Sequence, residues 1–330
     1  MDYSFKFTQK VSTYIEKNQM IKQGDSVIVG LSGGGDSVCL FLVLNELRKK
    51  MKFDLFCVHV NHGIRGISAT RDELFAKELC NRENIPIKIY NIDVPKIAKD
   101  EKISLEEAGR KARYEIFNQE AKEHNNAKIA VAHHINDQAE TILFNMIRGS
   151  GLKGMGGITP IRGNIIRPFL SVTRNEIERY LRENNEDFCV DETNEDDTYS
   201  RNQIRNKVIP LLNEIQPESV VHIASAAEEF RELSEYIEEK AKELFKCYVT
   251  KMDNGYVISL DKLKKEKPII VRSVIILTMK KLTDEYKDIT RTHINDIYSL
   301  VHKGRGKEIH LPKGLYAQKI SGGIYISKNV

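Results

Sequence analysis

Cysteine is scarce in this sequence, and its spacing excludes several kinds of site. The cysteines are Cys39, Cys57, Cys80, Cys189 and Cys247, an odd number with no C-x-x-C pair. This pattern argues against a disulfide framework, a zinc knuckle and a cysteine-ligated cluster.

Long apolar runs are lacking too. No run approaches the roughly 18 residues that a membrane span needs, and residues 1–20 are too polar for a signal peptide. We therefore expect a cytoplasmic protein with no membrane partner.

Charge is unevenly distributed. The net charge of the chain is +4, yet residues 261–330 carry 15 Lys or Arg against 7 Asp or Glu. That surplus indicates either an anionic macromolecular partner or a lysine-rich solvated surface, and charge alone does not separate the two.

Short apolar runs rich in β-branched residues recur through the first half of the chain, separated by helical patterns. They are Ser26–Leu31, Asp54–Asn61, Pro86–Val94, Lys128–His134 and Ile165–Leu170. Strands that alternate with helices predict an α/β fold with a doubly wound, mostly parallel sheet.

The pattern changes after Pro210. From Ser219 onward apolar residues keep the three-to-four spacing of a long amphipathic helix, and glycines punctuate short apolar stretches near the end of the chain. We predict a first domain of residues 1–215 and a second of 216–330, helical and then containing a small β element.

Residues 29–40 read VGLSGGGDSVCL, a glycine-rich loop between a predicted strand and a predicted helix. Bare amides at a helix N-terminus favour phosphate, and Ser32 and Ser37 add hydroxyl donors. A tight turn that only needs flexible glycines is the alternative. The lysine of a kinase-type loop is absent, so transfer of a terminal phosphoryl group is disfavoured.

A literal G-x-G-x-x-G also occurs at residues 149–154. A dinucleotide fingerprint must follow a strand, whereas this one follows a helical pattern. We therefore do not interpret it as a nucleotide site.

The stretch Ser32–Ser37 resembles the S-G-G-x-D-S loop of the N-type ATP pyrophosphatases, the PP-loop superfamily. The resemblance implies an adenine nucleotide alpha hydrolase-like fold and cleavage of ATP between its α- and β-phosphates. It also places Gly33 and Gly34 at fixed positions and Gly35 at the variable one. Gly35→Ala should then be tolerated where Gly34→Ala is not.

Further stretches resemble one family within that superfamily, the tRNA(Ile)-lysidine synthases. They are residues 59–65, 107–114, 132–141, 148–152, 167–170, 191–194 and 199–205. The resemblance implies an ATP-dependent ligase that attaches free L-lysine to C2 of the wobble cytidine of tRNA(Ile) with the CAU anticodon. The intermediate is an adenylated cytidine, and the products are lysidine, AMP and pyrophosphate.

The resemblance also implies roles for residues at the loop and the strand ends. Catalysis would use Asp36, Arg113, His133 and Asp137, and Asp36 and Asp137 would also hold Mg²⁺. ATP would contact Ser32, Gly33, Gly34, Gly35, Asp36, Ser37, His59, Asn61 and His62. Structural alternatives exist: Asp36 as a helix N-cap and Asp137 as a first-turn helix charge. If the adjacent His133 and His134 lie in a strand, they point to opposite faces and at most one faces the site; the family motif favours His133.

Arg110, Arg113, Glu140 and Arg205 are the residues expected to contact lysine or tRNA. Glu140 lies on the same helical face as Asp137 and could recognise an ammonium group. The alternative for all four is an ordinary solvated charge. Longer family members carry a further C-terminal domain that grips the acceptor stem; here residues 261–330 are expected to contact the RNA backbone, and some members dimerise.

Other functions stay open at this point. A sulfur-delivering tRNA enzyme of the same superfamily would need a persulfide or cluster cysteine, and an amidating synthetase would need a glutaminase. A non-catalytic RNA- or nucleotide-binding module is the alternative from a different class.

Overall fold

The computed structural model describes residues 2–63, 67–125, 127–189, 200–283 and 288–328. The stretches of the family resemblance at 64–65, 191–194 and 199 lie outside these residues. The chain divides into two compact units, Met1–Glu228 and Glu229–Val330, and the division falls inside one long helix. The predicted domain boundary at residue 215 stays a prediction.

The helices are α1 (Tyr3–Lys17), α2 (Gly35–Met51), α3 (Ile67–Arg82), α4 (Val94–Glu101), α5 (Leu105–Glu123), α6 (Ile135–Ile147), α7 (Leu152–Met155), α8 (Arg174–Glu183), α9 (Ser200–Gln203), α10 (Ile209–Ile215), α11 (Ser219–Tyr248), α12 (Leu260–Leu263), α13 (Pro268–Leu282) and α14 (Arg291–Ser299). A π-helical turn, Ile204–Val208, joins α9 to α10. Short 3-10 turns lie at Pro168–Ser171, Leu300–His302 and Pro312–Gly314.

The strands are β1 (Ser26–Gly30), β2 (Asp54–Asn61), β3 (Ile87–Asn91), β4 (Lys128–Ala130), β5 (Ile161–Arg162), β6 (Ile165–Ile166), β7 (Val249–Met252), β8 (Gly255–Ser259), β9 (Glu308–His310), β10 (Leu315–Ile320) and β11 (Gly323–Lys328). The first unit holds a sheet of order β3-β2-β1-β4-β6-β5, in which only the β5–β6 pair is antiparallel. The predicted fold class is confirmed.

The sheet of the first unit is buried on both faces. Val27 and Val29 of β1 belong to one apolar core with α1, α2 and α8, whereas Ile28 belongs to a second core with Phe117 of α5. Successive side chains of a strand point to opposite faces, so this alternation places a core on each side of the sheet. The helices therefore wind on both faces, as the sequence predicts.

Two predicted strands are shorter than expected. The β4 strand ends at Ala130 because the chain leaves the sheet to begin α6, whose N-cap is His134. The β6 strand ends at Ile166 because Pro168, which has no amide to donate, starts a 3-10 turn. The assumption that His133 and His134 lie in a strand is therefore wrong.

The helix ends follow the capping chemistry of the sequence. The hydroxyl of Ser104 accepts from the amide of Glu107 at the start of α5. Thr173 and Glu176 form a reciprocal capping box at the start of α8. These caps fix where the helices begin, and thereby what each strand-to-helix loop presents at the edge of the sheet.

The second unit has its own core. Its antiparallel sheet, of order β7-β8-β11-β10-β9, packs Ile258, Ile324 and Ile326 against Val274 and Ile275 of α13. The predicted small β element is thus a sheet of five strands. Among the described residues, none of the helices combines the length and the apolar character needed to cross a membrane.

Candidate active site

The site lies where the strand order of the first sheet reverses. Strand β1 has β2 on one side and β4 on the other, although β2 and β3 come between β1 and β4 in the chain. Ligands of open α/β sheets bind beyond the carboxyl ends of the strands at such a switch point. The glycine-rich loop follows β1, and the His133–Asp137 segment follows β4.

The loop Ser32–Ser37 is held by its own hydroxyl groups. Ser37 Oγ accepts from the amide of Ser32 at 3.1 Å and donates to the carbonyl of Gly34 at 2.9 Å. The two serine hydroxyls are 3.0 Å apart. Gly34 is the N-cap of α2 and makes no side-chain cap, so the first amides of the helix are available to an anion.

The glycines of the loop differ in what they require. Gly33 has φ +93°, a conformation that L side chains rarely adopt. A Cβ on Gly34 would meet only Ser32 Oγ at 3.6 Å, whereas a Cβ on Gly35 would approach Phe188 at 3.3 Å. In the protein alone, the crowding is therefore at Gly35 and not at Gly34. The expectation that Gly34 does not tolerate alanine therefore depends on the space that a bound phosphate would occupy.

A buried histidine connects the loop to α6. Asp36 lies in the first turn of α2, and its Oδ2 is 3.6 Å from Nε2 of His134, which is 3% exposed. His134 is also the N-cap of α6: its Nδ1 accepts from the amide of Asp137 at 3.4 Å, and its own amide donates to Asp137 Oδ2 at 3.0 Å. Because Gly34 is the N-cap of α2, Asp36 is not the cap that the alternative interpretation assumed.

This arrangement stabilises charge on the loop. Burial opposes ionisation of Asp36, but its interaction with His134 and the charges of Arg174 and Arg205 outweigh burial, so the pKa of Asp36 lies below its ordinary value. For His134, burial opposes the charged form, and the interactions with Asp36 and Asp137 outweigh it and raise its pKa.

His133 has a different environment from its neighbour. It lines the cavity beyond β1 and β4, and its buried Nδ1 has no hydrogen-bond partner among the residues that the structure describes. Burial lowers the pKa of His133 to about 4. The charges of Arg167 and Arg110 also lower this pKa, and the charge of Asp137 opposes the shift. The ring is therefore neutral near pH 7, in a residue that lines the cavity.

Arg205, in the π-helical turn, contacts two acidic residues of α6. Its Nε donates to Glu140 Oε1 at 2.7 Å, and its Nη2 donates to Glu140 Oε2 at 2.9 Å. The same Nη2 is 3.4 Å from Asp137 Oδ1. Glu140 is 5% exposed, and its burial, opposed by Arg205, raises its pKa. Single π-helical turns occur frequently at functional sites.

The end of β2 contributes the residues predicted to contact ATP. His59 is buried, and its Nδ1 is 2.8 Å from the carbonyl of Leu31, next to the glycine-rich loop. Asn61 Oδ1 accepts from the amide of Gly63 at 3.1 Å. His62 Nε2 is 3.2 Å from Nη2 of Arg113 on α5. Thus β2 and α5 meet at the rim of the cavity.

A cavity of about 400 Å³ collects most of the predicted site. Of the predicted residues it is lined by Ser32, Gly34, Asp36, Ser37, His59, Asn61, His62, Arg110, Arg113, His133 and Asp137. That lining does not include Gly33, Gly35, Glu140 or Arg205. Arg205 nevertheless contacts Asp137 directly, and Glu140 is connected to Asp137 through Arg205.

Sequence reasoning missed several residues of the site. The most important is His134, because the strand pattern makes the two adjacent histidines alternatives. Phe117, Tyr114 and Val58 give the cavity an apolar wall suited to a flat ring, and Phe117 comes so near β1 that a Cβ on Gly30 would meet it at 2.5 Å. The helical spacing of Tyr114 and Phe117 with Arg110 was the available signal.

The comparisons with known proteins agree with this site. The PP-loop domain matches residues 4–212. A parallel sheet with a glycine-rich anion loop at its switch point, in a chain matched by that domain, defines a PP-loop ATP-binding protein.

Sequence similarity to named relatives identifies the family within the PP-loop superfamily. The tRNA(Ile)-lysidine synthase of Clostridium perfringens is 38% identical over 320 residues, which cover 96% of this chain and 68% of the relative. That of Caldanaerobacter subterraneus subsp. tengcongensis is 37% identical over 325 residues, covering 98% and 70%. The chain belongs to the tRNA(Ile)-lysidine synthase family.

A solved structure shares the fold. The U34-tRNA thiolase NcsA from Methanococcus maripaludis, which carries a [4Fe-4S] cluster, superposes with a TM-score of 0.59 and 22% identity, over 70% of this chain and 79% of that one. At this identity the likeness concerns the fold alone.

Proposed function

We propose that this chain uses ATP to ligate free L-lysine to C2 of the wobble cytidine of tRNA(Ile) with the CAU anticodon. The cytidine O2 attacks the α-phosphate, pyrophosphate leaves, and the lysine amine then displaces AMP from C2. The observation that carries the proposal is the switch-point site itself, in which the loop Ser32–Ser37 lies beside Asp36, His134 and Asp137 in a chain of this family.

The loop suits a leaving pyrophosphate. The hydrogen bonds of Ser32 and Ser37 fix the loop before any ligand binds, so the amides at the start of α2 can stabilise the charge that develops on pyrophosphate without reorganising. The kinase-type lysine that would reach a terminal phosphate is absent from the loop. Both features favour transfer of the adenylyl group.

Asp36 and Asp137 suit Mg²⁺. Both line the cavity, and their side chains are 44% and 20% exposed. Mg²⁺ is commonly held by one or two carboxylates together with substrate phosphates and water, so a dedicated cage is not required. Accordingly, no group of three or more His, Cys, Asp or Glu that could hold a metal is found within the described ranges. When bound, the ion would supply charge neutralisation at the phosphates.

His133 and Asp137 are the candidates for accepting the proton of the attacking amine. His133 lines the cavity, is neutral near pH 7, and has a buried Nδ1 without a hydrogen-bond partner within the part of the chain that the structure describes. Asp137 lies in the same cavity lining. Proton acceptance needs an acceptor within hydrogen-bond reach of the amine, and both residues are placed at the same strand end.

Glu140 is proposed as an acceptor for a lysine ammonium group. Its two oxygens already accept from Arg205, so an ammonium would join this pair or displace one of its contacts. Arg110 and Arg113 lie on the cavity rim and are exposed, which suits contact with the RNA backbone.

Residues 216–330, which include the second unit, are proposed to bind tRNA, and residues 1–215 are proposed as the catalytic domain. The support is the charge of +8 over residues 261–330. Burial and then the nearby charge of Lys264 lower the pKa of Lys319, which indicates that cationic side chains cluster there. A cytoplasmic location and a homodimer also stay predictions.

The test is to incubate the protein with ATP, labelled lysine and unmodified tRNA(Ile), and to measure AMP, pyrophosphate and lysine joined to RNA. We expect the three products in equal amounts when all substrates are present. Without lysine, neither AMP nor joined lysine should form, and when tRNA(Met), which shares the CAU anticodon, replaces the substrate, none of the three products should form. AMP release that depends on neither lysine nor this tRNA would contradict the proposal.

Sulfur transfer is the alternative that the fold neighbour suggests. Cys39, Cys57 and Cys80 are buried, and burial raises the pKa of Cys39 and Cys57 well above the ordinary value. Cys189 lines the cavity, but burial and Asp72 raise its pKa to about 11. Thiolates are the reactive form, so these cysteines do not favour that chemistry.

A further inference from the structure

His134 connects the glycine-rich loop to the helix after β4. Its ring is almost fully buried, at 3% exposure, although histidine is a polar residue. One ring nitrogen faces Asp36 of α2 at 3.6 Å, and the other receives the amide of Asp137 at the start of α6. The two acidic residues predicted to handle the nucleotide therefore share one imidazole.

The hydrogen bond that Nδ1 accepts determines which nitrogen of a neutral ring carries the proton. An amide can only donate, so the contact from Asp137 N requires an unprotonated Nδ1. In a neutral ring the proton is then on Nε2, which is the nitrogen that faces Asp36 Oδ2. The helix cap thus selects the tautomer that presents a donor to the loop.

Asp36 needs such a partner because its side chain is otherwise free to turn. It lies on the cavity side with 44% of its side chain exposed, in a loop whose serines bond to one another. A carboxylate that must meet a phosphate-bound ion or the phosphate amides has to be held in one orientation. Residues that orient a ligating group through a histidine or carboxylate commonly change affinity or activity by about 10- to 100-fold when replaced.

We propose that His134 is a positioning residue, whose Nε2–H fixes the carboxylate of Asp36 while its Nδ1 caps α6. His134 thereby sets the distance between the loop that follows β1 and the helix that follows β4. It acts through Asp36 and does not itself contact substrate. This inference rests on the proposed function, because Asp36 is assigned its nucleotide role there.

Two substitutions separate the two contacts of the ring. His134→Asn keeps an oxygen near the position of Nδ1, and asparagine is a good N-cap, but its side chain is too short to reach Asp36. His134→Gln places an amide near the position of Nε2 and loses the cap. We expect His134→Asn to lower kcat/KM for ATP about 10- to 100-fold with a small change in Tm. His134→Gln should retain more activity and lose more Tm.

The matched control is His124→Asn, at the C-cap of α5, where the ring lies beside Glu120 and Phe56 and outside the cavity lining. It should leave ATP affinity and turnover unchanged. Wild-type turnover in His134→Asn, or a larger activity loss in His134→Gln than in His134→Asn, would overturn the positioning role.

A double-mutant cycle with Asp36→Ala tests whether His134 acts through Asp36. The quantity measured in this cycle is the affinity for ATP in the presence of Mg²⁺, because Asp36→Ala is expected to abolish turnover. Asp36→Ala and His134→Asn should each weaken ATP binding, and the double variant should bind no worse than Asp36→Ala alone. Additive losses would overturn the inference and leave the proposed function standing. Normal turnover in Asp36→Ala would instead contradict the nucleotide role of Asp36.

The tautomer gives a readout that does not depend on activity. At a pH where the ring is neutral, nitrogen-15 NMR of the histidine rings should show an unprotonated Nδ1 and a protonated Nε2 for His134, assigned by its loss in His134→Asn. In Asp36→Ala the Nε2 signal should shift while Nδ1 keeps its position. A proton on Nδ1 in the neutral ring would overturn the proposed geometry.

Discussion

The guanidinium of Arg205 holds both carboxylate oxygens of Glu140, at 2.7 Å and 2.9 Å, across 65 residues of sequence. Glu140 is 5% exposed, so this pair keeps a buried carboxylate compensated. Two parallel contacts from one planar group also fix the π-helical turn against α6. A lysine substrate would meet this pair on entering the site as proposed.

Loss of Arg205 should destabilise the first unit. Arg205→Ala leaves the Glu140 carboxylate buried without its partner, and we expect a loss of about 1–3 kcal/mol in the free energy of unfolding, since Arg205 is itself partly exposed. Arg205→Lys keeps the charge but only part of the two-point contact, so its loss should be smaller. Urea unfolding measures both.

Two controls sharpen that measurement. Arg201→Ala removes an arginine with 50% side-chain exposure and should change stability by less than about 0.5 kcal/mol. Adding Glu140→Gln to Arg205→Ala should recover part of the loss, because the buried charge is gone. An equal loss in Arg201→Ala would contradict the role of burial in this pair.

The three loop glycines should respond differently to alanine. Gly33→Ala forces a side chain into φ +93° and should cost about 1–2 kcal/mol of stability. Gly35→Ala requires a small shift of Phe188 at 3.3 Å and should cost less. Gly34→Ala should leave stability unchanged but weaken ATP binding by about 10-fold or more, because a methyl group beside an exposed amide keeps a phosphate oxygen away.

Thermal unfolding and ATP titration of the three variants test this order. Unchanged ATP affinity in Gly34→Ala would show that the phosphate does not approach that amide. The comparison also tests two different expectations for Gly35. The family pattern makes Gly35 the variable position, so alanine should be tolerated there, whereas the packing in the protein alone makes Gly35 the most crowded position by virtue of Phe188.

Because of His133, the free energy of unfolding should decrease at acidic pH. Its pKa is lowered to about 4, below the ordinary value of 6.5 that it regains on unfolding. Between these values the unfolded chain binds more protons, so stability is fully present above pH 6.5 and is lost as the pH falls toward 4. The loss approaches about 3 kcal/mol for a shift of this size.

The measurement compares unfolding by urea at several pH values in the wild type and in His133→Gln, which cannot titrate. The variant should lose less stability between pH 6.5 and 4. His222→Gln, an exposed histidine, is the control and should follow the wild type. Parallel pH profiles for wild type and His133→Gln would contradict the lowered pKa.

Binding of tRNA should depend on salt through the second unit. Lys264 and Lys265 are exposed beside α12, and their replacement by alanine should weaken tRNA binding. The slope of affinity against salt should fall by about 1 for each phosphate that the variant no longer neutralises. Lys49→Ala with Lys50→Ala, at the exposed end of α2, is the control. If the control weakens binding as much, the charge of the second unit has no special role.

Much of the fold could be predicted because it depends on local signals. The alternation of apolar runs and helical patterns located strands β1 to β3 to within a few residues, and the capping residues Ser104 and Thr173 marked helix starts. Strand β4 was overestimated because apolar content continues past Ala130, whereas the helix cap at His134 ends the strand. Strand β5, with two residues, gave too short a pattern to detect, whereas β6 was predicted but overestimated.

The amino-acid sequence by itself determined the chemistry available at the site: a glycine-rich anion loop without a lysine, and acids and histidines at the strand ends. Only the tertiary structure decided which of these groups meet. His134 faces Asp36 across nearly a hundred residues because β4 pairs beside β1, and Arg205 pairs with Glu140 because a later turn packs on α6. Contacts between distant segments depend on sheet order and helix packing, which no local pattern encodes.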